Sequence, residues 1–396
     1  MKRLLSVSTL YPNASNPQFG VFVARSLEAL AKREDWEVTV INPVGVPPVA
    51  IGKYARLKAA SVSGVENGVM VHRPNFPLLP KFGGRINPHL IARAISDLAQ
   101  QLHADNRFDI IDAQFFYPDG PAVMQLAGQL DLPFSIKARG ADIHYWGGQS
   151  YARKAMLQAA AKSAGMLAVC DALRQDMAAI GLPKEKIALH YTGLDRDRFR
   201  PLGHTQLRNR LGSEIGVDIG AGDQLLTTTG ALIPRKGQAL VIEALAQLPG
   251  ARLLLVGKGP DEAKLRNLTN SLGIDDRVHF LGSVDHDLLP IVLSASDAMV
   301  LPSSSEGLAN AWIEALACGT PLVITDAGGA REVVTSAAAG VIVARDAGAI
   351  ADGVRRLLAR PPARQTVAET AERFSWGENA AVLARHYDSL IGRPVG

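Results

Sequence analysis

Short apolar runs alternate with helical-period segments along the first half of the chain. RLLSVS, EVTVI, VMVHR, FDIIDA, PFSIKA and MLAV are rich in Val, Ile and Leu and read as short buried strands. Between them, VFVARSLEALAKR and PHLIARAISDLAQQL repeat apolar residues at helical spacing. Strands that are apolar throughout, alternating with helices, predict a parallel sheet covered on both faces. A polar, glycine-rich stretch at 200–224 interrupts the pattern, which then restarts. QLLTTT, RLLLV, RVHF, DAMVL, PLVIT and GVIV form a second strand series, with QALVIEALAQL, DEAKLRNLTNSL and AGAIADGVRRLLA as its helices. The expected fold class is therefore α/β, with two doubly wound Rossmann-like domains. A last amphipathic helix is read in SWGENAAVLARHYDSLI, and periodicity does not assign it to either half.

Composition narrows the class. A length of 396 residues gives a prior of two or three domains. Hydrophobic residues make up 47% and charged residues 20%, a balance that builds cores and does not support disorder. The formal charge of +4 leans mildly toward anionic partners. No recognition motif accompanies it, so nucleic acid is not an expected partner. Cys170 and Cys318 show no metal-ligand spacing and fit a reducing compartment. The apolar run in MKRLLSVSTLYPN is too short for a signal peptide, and no run reaches the roughly eighteen residues of a membrane span. A cytoplasmic protein is expected.

Three stretches carry candidate chemistry. In TTTGALIPRKGQALVIEALAQL a strand ends at Gly230, and Arg235 and Lys236 precede a helix expected to begin near Gly237. Helix N-termini favour anions, and two cations there oppose the dipole, which points to a phosphate clamp. A solvated basic turn is the alternative. In LLLVGKGPDEAKL, Gly257 and Gly259 follow a strand without the third glycine of the dinucleotide fingerprint. A tight turn explains them, with close backbone approach to a ligand second. In SSSEGLANAWIEALACGTPLV a helix is expected from Leu308 or Ala309 to Cys318, with Gly319 as its cap and Pro321 barring continuation. Glu306 then lies just outside the helix and Glu314 inside it. If the seven intervening positions were all helical, the two would lie about 80° apart and about 12 Å along the axis. One metal does not suit that geometry. A ligand with sugar hydroxyls at both ends and phosphate between does, since carboxylates accept from vicinal hydroxyls and helix N–H groups receive anions. The alternative is a buried ion pair between Glu314 and an arginine.

At this point the residues carry a resemblance. Glu306 and Glu314, spaced E-x7-E before ACGTPLV, resemble the motif of retaining glycosyltransferases of family 4, which have the GT-B fold. STLYPNASNPQFGVFV is similar to the family's N-terminal glycine loop, which contains Gly20. FYPDGPAV and KARGADI resemble a bacterial branch that builds cell-surface polysaccharides. TGLDRDRF, RKGQALVIEAL, GKGPDEAKL, FLGSV and AGGAREVV follow in the family's order. The resemblance implies an N-terminal acceptor-binding domain over 1–198, joined by a C-terminal helix at 377–396. It implies a nucleotide-sugar domain over 199–376, the two facing across a cleft. It implies transfer with retention and no metal or other cofactor, the nucleotide-sugar being a co-substrate. Arg235 and Lys236 would hold the diphosphate, Glu306 the donor sugar and Glu314 the ribose. Gly307, Leu308, Ala309 and Asn310 would lend backbone contacts, and Gly282, Ser283 and Val284 would meet the base. Gly20, Gly230, Gly257 and Gly259 complete the expected donor site. Two positions depart from the pattern. Ala231 stands where the family often has arginine, and Arg139-Gly140-Ala141-Asp142 stands for the commoner H-G-x-D. Arg139 stays protonated and cannot act as a base. Either it contacts acceptor or phosphate, or it pairs with Asp142.

The implied partners are a nucleotide-sugar and a saccharide or lipid-linked saccharide acceptor, in exopolysaccharide or cell-surface glycan synthesis. Lys53, Arg56, Lys58, Lys81, Arg85 and Arg93 are interleaved with apolar residues, which would suit peripheral contact with an anionic membrane on its inner face. Ordinary solvated loops and helix faces explain them equally. Two other functions compete. A GT-B-fold nucleotide-sugar epimerase would release an isomeric sugar from donor alone. A non-catalytic scaffold subunit is kept in view by Ala231 and opposed by the intact Glu306, Lys236 and Glu314.

Overall fold

The computed structural model describes residues 1–79, 83–216, 219–220, 222–285 and 287–392, with side chains left aside at 204–206 and 209. Lys81 lies outside the described residues. The chain divides into two compact units. One is Met1–Gly193 with Trp376–Gly396; the other is Leu194–Ser375. The divisions fall a few residues before those read from the sequence at 198/199 and 376/377. Leu194 forms a bridge with Ser375, which places both in the second unit.

Among the described residues the first unit holds ten strands: β1 Lys2–Val7, β2 Trp36–Ile41, β3 Val44–Val46, β4 Gly64–Glu66, β5 Val69–His72, β6 Asn75–Pro77, β7 Ile110–Ala113, β8 Phe134–Ala138, β9 Gly165–Ala168 and β10 Ile187–Leu189. Eight of them form one sheet in the order β10-β9-β8-β7-β1-β2-β5-β4. All neighbours are parallel except β4 and β5, an antiparallel edge hairpin. Its turn residues Asn67 and Gly68 both have positive φ, the conformation that two-residue hairpins demand. β3 and β6 pair separately. Their three-residue strands were not legible in the apolar pattern.

The helix Trp376–Leu390 belongs to this unit. Leu383, Ala384, Tyr387 and Leu390 join a core with Leu4, Val23, Leu27, Trp36, Val40 and Ile110. The helix is also tied down by polar contacts. The Tyr387 hydroxyl donates to the buried Asp112 carboxylate on β7. Asn379 Nδ2 donates to Tyr191 O (2.6 Å), and Asn379 Oδ1 accepts from Ser26 (2.7 Å). Gly193 lies so close to Trp376 that an added Cβ would fall 2.2 Å from its ring.

Among the described residues the second unit holds six strands in one parallel sheet: β11 Gln224–Thr229, β12 Ala251–Val256, β13 Val278–Gly282, β14 Ala298–Leu301, β15 Leu322–Thr325 and β16 Gly340–Val343. Their order is β13-β12-β11-β14-β15-β16. Leu226, Leu253 and Leu255 pack into one core, while Leu225, Leu254 and Val256 pack into another. Successive strand residues face opposite sides, so this alternation covers both faces of the sheet.

Replacing Tyr387 with Phe removes one donor from buried Asp112 and little volume. The expected cost is about 1–3 kcal/mol, read as a lower denaturant midpoint. An unchanged midpoint would show that the Tyr387 hydroxyl contributes nothing to holding the helix.

Candidate functional site

In the second unit the loops after β11 and β14 meet at an ion cluster. β11 ends at Thr229, and Pro234–Lys236 form a single 3-10 turn before the helix Gln238–Ala246. Gly237 between them has φ 75°, and an added Cβ would fall 2.5 Å from Pro302 O. The loop after β14 therefore lies directly against this turn. Lys236 Nζ reaches Glu306 Oε1 at 2.5 Å, and Arg235 stands 3.3 Å from Glu306 Oε2. The Glu306 side chain is 8% exposed, so this pairing is what makes its burial tolerable.

Backbone contacts lace the two loops together. Ser304 N donates to Arg235 O (2.8 Å), and the Arg235 guanidinium donates to Ser305 O. Arg345 spans both loops, donating to Pro302 O (2.9 Å) and Pro234 O (3.1 Å). On the far side, Gly328 approaches Glu306 O so closely that a Cβ would fall 2.2 Å from it. Gly329 N donates to Gly307 O.

The helix after this loop runs from Asn310 to Ala317, one or two residues later than expected at its start. Glu306 is four residues outside it, so the all-helical spacing of the two glutamates does not apply. Ala309 is the N-cap and supplies no side-chain cap. Among the described residues no acceptor meets the N–H groups of Leu308, Ala309 or Asn310. The far end closes as expected. Gly319 has φ 78°, and the N–H groups of Gly319 and Thr320 return to Leu316 O and Ala315 O.

Glu314 is half-buried in that helix. Its carboxylate has no hydrogen-bond or ion-pair partner among the described residues, so the arginine pair considered above is not formed. Burial raises its pKa to about 7. The hydroxyls of Thr229 and Ser303, at the carboxyl ends of β11 and β14, are also buried without a partner among those residues.

Gly230, Gly257 and Gly259 serve backbone approach. A Cβ on Gly257 would fall 2.0 Å from Gly230 O, and one on Gly259 2.2 Å from Leu232 O. Ala231 is exposed on the same loop and accepts from Gln238 through its carbonyl (2.9 Å). Gly282, with φ 64°, leads to Ser283 and Val284 after β13; Ser283 is exposed and Val284 packs on the second core.

Gly20, Arg139 and Asp142 belong to the first unit. Gly20, with φ 75°, precedes the helix Val21–Ala31, and a Cβ there would fall 2.6 Å from Leu10 O. Asp142 is buried and accepts from the N–H groups of Phe116, Arg139, Gly140 and Ile143, at 2.8 to 3.1 Å. The Arg139 guanidinium does not pair with it. It donates to Gln114 O (2.8 Å) and Gln114 Oε1 (2.6 Å) and lies 4.8 Å from the Phe22 ring centre. Burial lowers its pKa to about 10, which leaves it cationic at neutral pH. Among the described residues no group of three His, Cys, Asp or Glu could hold a metal ion.

Comparison with known proteins bears on both units. Residues 20–198 match the family model Glycosyltransferase Family 4, and residues 217–374 match Glycosyl transferases group 1. The chain carries both domains of a GT-B glycosyltransferase. It is 26% identical over 410 residues to TuaC of Bacillus subtilis (strain 168), a glycosyltransferase ascribed to teichuronic acid biosynthesis, covering 99% of this chain and all of TuaC. It is 32% identical over 235 residues to the D-inositol 3-phosphate glycosyltransferase of Mycobacterium tuberculosis, covering 56% of this chain and 48% of that enzyme. Sucrose-phosphate synthase from Thermosynechococcus elongatus shares the fold, with TM-score 0.79 and 21% identity over 98% of this chain and 99% of that one. Anabaena HepE in complex with UDP shares it with TM-score 0.75 and 20% identity, over 98% and 100%.

Several polar residues of the glycosyltransferase were not singled out from its sequence. Gln114 and Phe22 hold Arg139, and Arg345 clips the two site loops. Asp119 is buried and accepts from Thr9 N (2.9 Å) and Thr9 Oγ1 (2.8 Å), with its pKa pushed up to about 7 by burial. Lys137 is buried with its Nζ 2.7 Å from His190 Nδ1, and burial lowers the pKa of both. A charged residue inside an apolar run was the available signal for Asp119 and Lys137. Arg345 has no local signal, since its partners lie far away in sequence.

Glu314 gives a pH prediction. Its folded pKa of about 7 lies above the ordinary value of an exposed glutamate, so folding favours the protonated form. That stability is complete below the unfolded pKa and lost as pH rises through 7. The ligand-free Glu314→Gln variant is therefore expected to match wild type near pH 4.5 and to exceed it at pH 8. A gain of about 1–3 kcal/mol, or several degrees in Tm, is the expected size. Equal Tm values at pH 8 would show that the carboxylate is not desolvated.

Proposed function

We propose that this glycosyltransferase moves a sugar from a nucleotide-sugar to a saccharide or lipid-linked saccharide acceptor, with retention, in exopolysaccharide or cell-surface glycan synthesis. One observation carries the reading. Glu306, Lys236 and Arg235 converge beside a helix start without a side-chain cap, and Glu314 in that same helix has no partner among the described residues. A diphosphate would take the two cations and the free N–H groups. Glu306 would accept from the donor sugar's hydroxyls and Glu314 from the ribose.

The chemistry needs these groups. The anomeric carbon–oxygen bond breaks with its electron pair left on the departing phosphate, and the acceptor oxygen forms the new bond on the same face. Lys236, Arg235 and the helix N–H groups stabilise the charge that develops on the phosphate, so this reading calls for no metal. Arg139 stays cationic and is no base. In this reading the departing phosphate takes the acceptor's proton.

The donor reading is tested by thermal shift with UDP, GDP, ADP and their common sugars. A ligand at about 100 times its dissociation constant adds about 2.7 kcal/mol, on a scale of roughly 2–4 °C per kcal/mol. One nucleotide family is expected to stabilise wild type and to stabilise Glu314→Ala much less. Lys236→Ala is expected to lower kcat by about 10²–10³. No shift with any nucleotide would return the scaffold reading, and an isomeric sugar released from donor alone would mark an epimerase.

A second reading concerns location. Among the described residues no helix is long and apolar enough to cross a membrane. The helix Lys53–Ala59 buries no residue and carries Lys53, Arg56 and Lys58 without an acid. Val49, Ile51 and Val62 flank it at 64–74% exposure. Cations beside exposed apolar side chains suit peripheral contact with anionic lipid on the cytoplasmic face. Co-sedimentation with anionic vesicles at low salt is expected, and loss of most of it in K53E/R56E/K58E. Equal sedimentation of both proteins would sink the assignment to this helix.

A further inference from the structure

In the first unit four aromatic rings collect at one place, although aromatics are only 6% of the chain. Tyr117 is buried, with its hydroxyl donating to Gly84 O at 2.5 Å. Its ring lies 5.0 Å from that of Trp146 and 6.3 Å, edge-on, from that of Tyr151. Trp146 is half-buried and carries Tyr145 at 5.0 Å, with the two ring planes at 80°. Tyr145 is 62% exposed. The cluster therefore grades from a buried anchor to an open ring.

The backbone beneath it is fixed. Tyr145 and Trp146 close a single π-helical turn, Asp142–Trp146, in which Gly147 N returns to Asp142 O at 3.2 Å. Such turns are uncommon and recur at functional sites. A Cβ on Gly147 would fall 2.2 Å from Ile143 O, so the exit from the turn admits only glycine. The turn starts at Asp142, whose buried carboxylate organises the loop at the carboxyl end of β8. Ligands of open α/β sheets bind at that end of the strands.

The geometry points to an acceptor subsite here, in which Tyr145 and Trp146 form a corner for a neutral pyranose ring. This rests on the reading that the acceptor is a saccharide. One face of a pyranose presents polarised C–H groups, which complement the negative face of an aromatic ring. Two rings near a right angle offer that face one platform and one wall. The surrounding His144, Gly148, Gln149 and Ser150 are exposed and small or polar. They suit hydroxyl recognition. His144 is held by Asp176 at 2.9 Å, which fixes the segment on the other side of the corner.

The test uses saturation-transfer NMR on the full-length protein, with methyl glucoside, methyl galactoside, methyl mannoside and cellobiose as probes. Wild type, Tyr145→Phe and Tyr145→Ala are compared. At least one probe is expected to contact wild type, to bind Tyr145→Phe within about twofold, and to bind Tyr145→Ala at least tenfold more weakly. The nucleotide thermal shift is expected to be the same in all three. A nucleotide shift with no saccharide contact, or equal saccharide affinity in wild type and Tyr145→Ala, overturns the subsite and leaves the donor reading standing. Loss of anionic-vesicle binding in Tyr145→Ala with saccharide contact unchanged overturns it in favour of a lipid contact.

Discussion

Burying the Glu306 carboxylate is the constraint that arranges the second unit's loops. An 8% exposed carboxylate needs cations within reach, and the two it finds lie seventy residues earlier, after another strand. The loops after β11 and β14 must therefore run side by side. Their close approach then dictates glycine at two positions of positive φ. Gly237 clears Pro302 O and Gly328 clears Glu306 O. Arg345 and Ser304 finish the lacing with bonds to backbone carbonyls. Glycines that look like isolated turn residues in the sequence are consequences of this one pairing.

The same constraint explains what was legible in the sequence. Every long strand of both sheets was visible as an apolar run, because strands buried on both faces leave no polar alternation to confuse them. The ends of the helix after β14 were visible to within one or two residues, because Gly319 and Pro321 act locally. Features made by distant partners were not visible. The choice between a free Glu314 and an arginine pair stayed open, since both put the same residue in the same helix. Arg139 was expected to meet ligand or to pair with Asp142, three residues on in the same motif. Its guanidinium meets Gln114 rather than Asp142, because the Asp142 carboxylate is taken up by four backbone N–H groups, that of Arg139 among them. The single π-turn carrying Tyr145 has no apolar period of its own, so nothing in the pattern announced it.

The first unit solves its burial problem differently. It holds Asp112, Asp119 and Asp142 in one interior, where three unpaired charges would be prohibitive. Neighbouring cations and neutral donors divide the work. Asp112 takes the hydroxyl of Tyr387 and the amide of Gln114, and the nearby Arg139 lowers the cost of its charge. Asp142 takes backbone N–H groups, which serve a carboxylate well and are lost only to proline. Asp119 has only Thr9 and two like charges nearby, and burial pushes its pKa to about 7. Of the three, Asp119 has the least support for its charge.

That ranking bears on the chemistry. A group able to take or give a proton near neutral pH needs a pKa near 7 and access to the reacting atoms. Asp119 has the first and, fully buried under Thr9, lacks the second. Arg139, beside the loop at the end of β8, stays cationic at neutral pH although burial lowers its pKa to about 10. Neither side chain combines a pKa near 7 with exposure to solvent, and this is why the proposal above gives the role of base to the departing phosphate.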